Sequence, residues 1–574
     1  MLNRYYEQEL GHLRNLAAEF AASNPALAPL LGVESASDPD VERLLEGVAF
    51  MTGLIRHRLD DDFPEFVQGV AQLLFPHMLQ PLPCMTLMCY QPRAAIEAAV
   101  TLPAGSEFAS APVDGLRTVF RAAFPVQVEP ITLERAYWEG GGAEARSIRL
   151  QFRFSGLNGG HWTGDRLRCF LGDGHADATR LALLLLRYAR EIRVSSDNGP
   201  LTVLPATSIL PAGFDPALEL LPWSSEAHPA WRVLYDYFAL PERFLFLDIT
   251  GLSEWTRHSQ AARFSMQIVF DRVPDWAPAI TASSFLLNVT PAVNLFTQDA
   301  HPIRVDHLQP EYRIQPLARG NRSEEKIFSV DSVRARQADG TETPYHPFSA
   351  MVTDEQATYN VAIRPSALQR DYDHFLSIPY SSGAPPQSCT LSVRLTCTHG
   401  EMPQGLRLGD VCEPTDNSPV RMGFTNIHGI TPYCPPVTDS AMLWRVLSHL
   451  NANHLTLADK DRLCDLLALY IPARQADAQR HAAAQRVVEA IEQVRVTPAR
   501  RFISGMSILG NDIEIQCRGD HFPGQGSMFL FGMVMDEFFA GITALNTFSS
   551  LTLVDTVNGE TLQWPAKIGR YRLL

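Results

Sequence analysis

The sequence lacks most of what catalysis on nucleotides, or by metal-activated water, leaves behind. Neither GxxxxGK[ST] nor GxGxxG occurs in its 574 residues, so no glycine-rich loop is set to turn its amides toward a phosphate. HExxH is missing and no serine sits in GxSxG, which removes the commonest zinc-hydrolase and nucleophile-elbow signatures. The nine cysteines are scattered and never form CxxC; Cys84 and Cys89 are the closest pair. That spacing fits a reducing compartment and not a disulfide framework. No stretch approaches the ~20 apolar residues of a membrane helix. The opening MLNRYYEQELGHLRNL has no apolar block of the secretory kind, so neither membrane insertion nor export is expected. Positive charge is also short: 48 Lys and Arg against 63 Asp and Glu leave a net charge of -15. Such a field repels phosphate backbones and anionic lipid, and nucleic acid is not an expected partner.

What is present is apolar patterning on a chain too long for one core, which predicts three or four domains. Residues 1–80 read as helical. Leu2, Tyr6, Leu10, Leu13, Ala17 and Phe20 recur at spacings of three and four along one stripe, and Val41, Leu44, Val48, Met51, Ile55 and Leu59 form a second. Asp38 is placed to cap the second helix, with Pro39 at its first position. A third short helix around Phe66, Val70 and Leu74 should stop at Pro76, and PHMLQPLP reads as a stiff linker.

From about residue 84 the apolar period becomes two. Ile148, Leu150, Phe152 and Phe154 alternate with polar residues, as do Phe264, Met266, Ile268 and Phe270, and Leu391, Val393, Leu395 and Cys397. Asp114-Gly115, Asn158-Gly159, Asp339-Gly340 and Asn558-Gly559 supply turns. Leu181 to Tyr188 is a helix or a buried strand. Helices return near residue 440, with Trp444, Leu447 and Leu450, then Leu463, Leu466, Leu467 and Tyr470, then a polar alanine-rich helix over 475–495. A strand through Ile513, Ile515 and Cys517, a helix from about Met528 to Leu545 and a hairpin on Asn558-Gly559 complete the chain. The fold class is therefore α+β and multidomain: a helical arm over 1–80, β-rich domains over 81–289 and 290–438, and a helical segment with an α/β domain over 439–574.

Candidate chemistry is sparse. Asp173, His175 and Asp177 could present oxygen and nitrogen donors to a metal, but a surface loop with a helix cap accounts for them better. Asp60, Asp61 and Asp62 offer paired acids for glycoside cleavage, yet neighbours on a helix point apart and a solvated helix end is the better reading. His449 and His454, five apart, do not share a helical face. Trp231, Tyr235, Tyr237 and Phe238, and Phe529, Phe531, Phe538 and Phe539, read as core, with interface anchors the alternative. No catalytic, cofactor or metal residue is assigned.

The motifs themselves carry a resemblance. The opening YYEQELGHLRNLAAEFAASNPALAPLLG, then DPDVERLLEGVAFMTGLIRHRLDDDFPEF and LLFPHMLQPLPC, resemble the start of TssF (VasA/ImpG) proteins of the bacterial type VI secretion baseplate. YDYFALPERFLF, TPAVNLF with HPIRVDH and EYRI, LTCTHGEMPQGL, WRVLSHLNANHLTL and the terminal LNTFSSLTL with WPAKIGRYRLL resemble further blocks in order. Asp236 stands where a glutamate is usual, and His399-Gly400 where Asn-Arg is expected. The resemblance implies a non-enzymatic wedge component, similar to contractile phage baseplate proteins and working without a cofactor. It implies two copies on one TssG, with TssK, TssE, the VgrG spike and other TssF copies as partners. It implies a cytoplasmic location, reached at the inner membrane through TssK. On that reading Leu2, Tyr6, Leu10, Leu13, Phe20, Val41, Leu44, Val48, Met51 and Ile55 face a partner. A wedge protein of a phage-like contractile tail is the alternative, and a carbohydrate-active enzyme a weaker one.

Overall fold

The computed structural model describes residues 6–7, 10–14, 16, 39–113, 115–140, 146–156, 161–196, 201–223, 228–256, 261–317, 325–337, 340–348, 357–366, 372–379, 388–447, 454, 456–472, 477–503 and 505–569. The predicted cap Asp38, the stripe residues Leu2, Ala17 and Phe20, the turn at Asn158-Gly159, Leu450 and His449 lie outside this set. Contacts divide the chain into two compact units, Met1–Leu74 with Thr438–Trp444, and Phe75–Val437 with Arg445–Leu574.

In the first unit the two helices expected after residue 39 are one, Pro39–Leu74, which runs through Pro64. Proline lacks one ladder donor and crowds the preceding turn, but it does not end this helix.

In the second unit the period-two segments form antiparallel sheets. A six-stranded sheet runs Val411–Glu413, Glu107–Ser110, Val119–Ala122, Val289–Val293, Met85–Pro92, Met422–Asn426. Leu87 lies opposite Pro291 and Tyr90 opposite Phe424. The division expected at 289/290 therefore passes through a strand of a shared sheet, and the regions on either side of it close one core. A five-stranded sheet pairs Ser147–Phe154 with Arg263–Phe270, placing Phe264 on Phe152, Met266 on Leu150 and Ile268 on Ile148, so both alternating stripes bury together. A four-stranded sheet runs Ile209–Pro211, Phe246–Thr250, Arg166–Leu171, Phe285–Leu287. An eight-stranded sheet is built around Cys389–Thr398, whose Leu391, Val393, Leu395 and Cys397 are fully buried.

PHMLQPLP is not a free linker. Leu82 exchanges backbone hydrogen bonds with Cys434 at 2.8 and 2.9 Å, and His77, Met78, Leu79 and Leu82 are buried. The prolines here end a helix and begin a core.

Leu181 to Tyr188 belongs to a helix, His175–Arg187, with Leu181, Leu183, Leu184 and Leu185 buried. It packs against a second apolar helix, Gln525–Gly541, as does the helix Pro229–Ala239. Gln525–Gly541 joins Met506–Cys517 to the parallel strand Phe548–Asp555, a β-α-β unit. Apart from Asp536 and Glu537, which pair with Lys567, it is apolar around its circumference and so must be enclosed. Gly526 and Gly541 permit the close approach: a Cβ on Gly526 would stand 2.3 Å from the backbone of Thr179 and Arg180, and one on Gly541 2.7 Å from the Ala230 Cβ. The alanine-rich helix is shorter than expected, Ala478–Glu489. Ile491 to Arg495 start a strand instead, because Ile491 and Val494 bury against Cys517 and Ile515 across the hairpin.

Beneath Pro229–Ala239 lies a buried ion pair, Asp236 with Arg243, and the same guanidinium donates to the Gly213 and Leu218 carbonyls at 2.9 Å. Burying these charges is tolerable only because each has a partner. Arg243→Met alone is expected to strand Asp236 and cost about 3–5 kcal/mol. Gly526→Ala is expected to cost about 1–3 kcal/mol, since the obstructing atoms are backbone. Urea unfolding followed through buried tryptophans such as Trp231 and Trp255 measures both.

Candidate interaction surfaces

The side chains considered for a reaction centre are brought near one another but turned to different partners. Asp173, held in the left-handed region at φ 67°, accepts from Ser284 and, at 3.3 Å, from Thr281. Asp177 pairs with Arg180 at 3.1 Å one turn along the helix. His175 turns inward, its Nδ1 3.3 Å from Glu242 Oε1, and His428 Nε2 lies 3.8 Å from the same oxygen. Burial alone would keep Glu242 neutral, but His175, His428 and Arg480 outweigh it and hold the carboxyl down to about 2. The carboxylate therefore ties together a helix near residue 175, the loop after Met422–Asn426 and the helix Ala478–Glu489. These contacts are structural.

Asp60, Asp61 and Asp62 fall within Pro39–Leu74, on the first unit, and their side chains lie outside the described set. His454 is buried, with Nε2 3.0 Å from Thr543 Oγ1, and burial lowers it to about 4. Thr543 gives its own proton to the Phe539 carbonyl, so the neutral imidazole donates. A shallow crevice holds Glu129, Arg166 and Arg168, but Glu129 accepts from the Trp162 indole at 2.7 Å and both arginines turn to Asp248. The aromatic clusters at 231–238 and 529–539 are core: Trp231 and Phe538 sit with ring centroids 5.5 Å apart.

Apolar exposure is concentrated elsewhere. On Pro39–Leu74, Leu44 is 68% and Met51 60% exposed, and Phe50, Leu54, Phe66 and Leu73 are also exposed. Val48 is half-buried, as are Tyr6 and Leu13, while Leu10 is buried at 8%. Val41 and Ile55 lie in the helix with side chains outside the described set. The exposed side chains leave a run of apolar surface uncovered along one long helix. Sequence reasoning missed Phe50 and Leu54, which fall beside the chosen stripe, and the outer end of the Ile491–Ile503 hairpin, where Phe502, Met506 and Leu509 are exposed. The signal for the second was present as RRFISGMSIL, apolar residues flanking a glycine turn.

Comparisons with known proteins place the chain in a family. No described helix is long and apolar enough to cross a membrane. The family "Type VI secretion system, TssF" matches residues 1–571. Type VI secretion system component TssF1 of Pseudomonas aeruginosa is 28% identical over 622 aligned positions, covering 99% of this chain and 98% of that protein. A chain of the type VI secretion TssK-TssF-TssG baseplate subcomplex, solved by cryo-electron microscopy, superposes with a TM-score of 0.78 at 26% identity, over 93% of this chain and 99% of that one. A chain of the baseplate complex from the type VI secretion system shares the fold, with a TM-score of 0.62 at 20% identity and full coverage of both. With the family pattern running from the helical arm through the last hairpin, the chain belongs to the TssF family of type VI secretion systems.

Proposed function

We propose that this chain is a structural wedge subunit of the type VI secretion baseplate that binds TssG and TssK and performs no catalysis. The observation that carries the reading is the family match along residues 1–571, joined to a long helix with outward apolar side chains. Asp173 accepts from Ser284 and His175 lies against Glu242, contacts that join separate segments of the chain and suit a scaffold.

In this reading the arm, Leu2, Tyr6, Leu10, Leu13, Phe20, Val41, Leu44, Val48, Met51 and Ile55 included, joins a helical bundle with TssG. Two copies of this chain embrace one TssG. The β-rich body acts as a spacer, and the last domain makes lateral contacts with neighbouring wedges. TssE and the VgrG spike adjoin the assembled platform, which reaches the cytoplasmic face of the inner membrane through TssK. Permanent interfaces of this kind bury upwards of about 2,000 Å² and resemble a core cut in two.

Co-expression with TssG and TssK, followed by mass measurement of the purified complex, tests the proposal. Because Leu10 is buried within the chain, the informative substitutions are the exposed ones. Leu44→Asp with Met51→Asp is expected to abolish co-purification with TssG while leaving the circular dichroism of the chain unchanged. Normal co-purification of that double variant would exclude the bundle.

A further inference from the structure

The strand pair Ile491–Ile503 and Met506–Cys517 is longer than the sheet to which it belongs. Its parallel neighbour Phe548–Asp555 is in register only from Gly510 onward. Beyond that point Arg500 faces Leu509, Arg501 faces Ile508, Phe502 faces Ser507 and Ile503 faces Met506, as a ribbon of two strands. Residues directly opposed in an antiparallel pair share a face. One face is turned to the domain: Ile508 is buried, and Arg501 lies 5.3 Å over the Phe548 ring and pairs with Asp512 at 2.7 Å. The other face carries Arg500, Phe502 and Leu509, with Phe502 81% and Leu509 58% exposed.

Charge narrows what covers it. Among the described residues Arg500 makes no ion pair, although the chain as a whole carries -15. An unpaired guanidinium beside an exposed aromatic is the composition of an interface centre. A carboxylate is its natural complement, because the guanidinium fork matches it in both geometry and charge. A twofold contact between two copies through this face would set Arg500 near Arg500, which like-charge repulsion disfavours.

We propose that the overhanging ribbon is a docking finger whose Phe502 and Leu509 enter an apolar groove on a different protein, with Arg500 paired to a carboxylate on the groove's rim. This rests on the reading of the chain as an assembly subunit. The ribbon needs no ordering on binding, since its backbone is already paired and its inner face is fixed on Phe548.

Photocrosslinking tests it. With p-benzoylphenylalanine in place of Phe502, in the complex assembled by co-expression with TssK and TssG, the expected result is a crosslink to a peptide of another protein containing Asp or Glu. Phe502→Ser and Arg500→Glu are each expected to weaken that association about 30-fold or more, the loss that a central aromatic or arginine contact carries. The unfolding midpoint should not move, because both side chains are exposed. Changing the crosslinked acid to lysine should restore binding by Arg500→Glu. A crosslink confined to a second copy of this chain, no crosslink at all, or undiminished association by both variants overturns the finger. Failure of the unsubstituted chain to co-assemble overturns the assembly reading with it.

Discussion

A helix that is apolar around nearly its whole circumference must be enclosed, and Gln525–Gly541 imposes that requirement on the rest of its unit. Its four phenylalanines, Phe529, Phe531, Phe538 and Phe539, are buried. Each is worth about 1.5–3 kcal/mol as area removed from water. The walls that shield them come from His175–Arg187, Pro229–Ala239 and the strand Phe548–Asp555, segments far apart in the chain. Gly526 and Gly541 set how near those walls stand. The last domain is thus not an appendage; it is the plug of the body, which is why residues beyond 445 group with those from 75 onward.

Charge acts on the same junction with different consequences. Asp236, Glu242 and Arg243 lie within the LPERF turn and its preceding helix; Asp236 pairs with Arg243, while Arg243 and Glu242 each reach a segment distant in sequence. Ion pairs this deep add little net stability over a well-packed apolar replacement, but they penalise any arrangement that leaves one partner alone. Glu242 Oε1 meets charge of opposite sign where His175 and His428 approach it, so the junction favours that packing. The YDYFALPERFLF block that carries part of the family resemblance is explained by this role.

Much of this was legible because periodicity reports burial directly. The strands at Ser147–Phe154, Arg263–Phe270 and Cys389–Thr398 follow from alternation alone, and their cross-strand partners turned out to be one another's stripes or equally apolar. Tertiary pairing was not legible. Nothing local in TPAVNLF indicates that Val289–Val293 would pair with Met85–Pro92, so a boundary placed at 290 fell inside a sheet. The polar helix over 475–495 was drawn too long because Ile491 and Val494 continue a helical spacing as readily as they begin a strand; only the facing Ile515 and Cys517 decide it. The helix Pro39–Leu74 was legible from its stripe, although its continuity through Pro64 was not. The hairpin tip is visible in RRFISGMSIL as apolar residues flanking a glycine turn, but its exposure depends on what fails to cover it, which that local pattern does not encode.

The six-stranded sheet has a consequence for how the chain is made. Met85–Pro92 is flanked on one side by Val289–Val293 and on the other by Met422–Asn426. Ribosomes add about 5–20 residues per second, so the strand leaves the exit tunnel roughly tens of seconds before its second neighbour exists. During that interval MTLMCYQP carries an uncovered, unpaired edge, the sort of surface that captures other nascent chains. The sheet therefore closes only after synthesis has passed residue 426, and the early strand must stay unengaged until then.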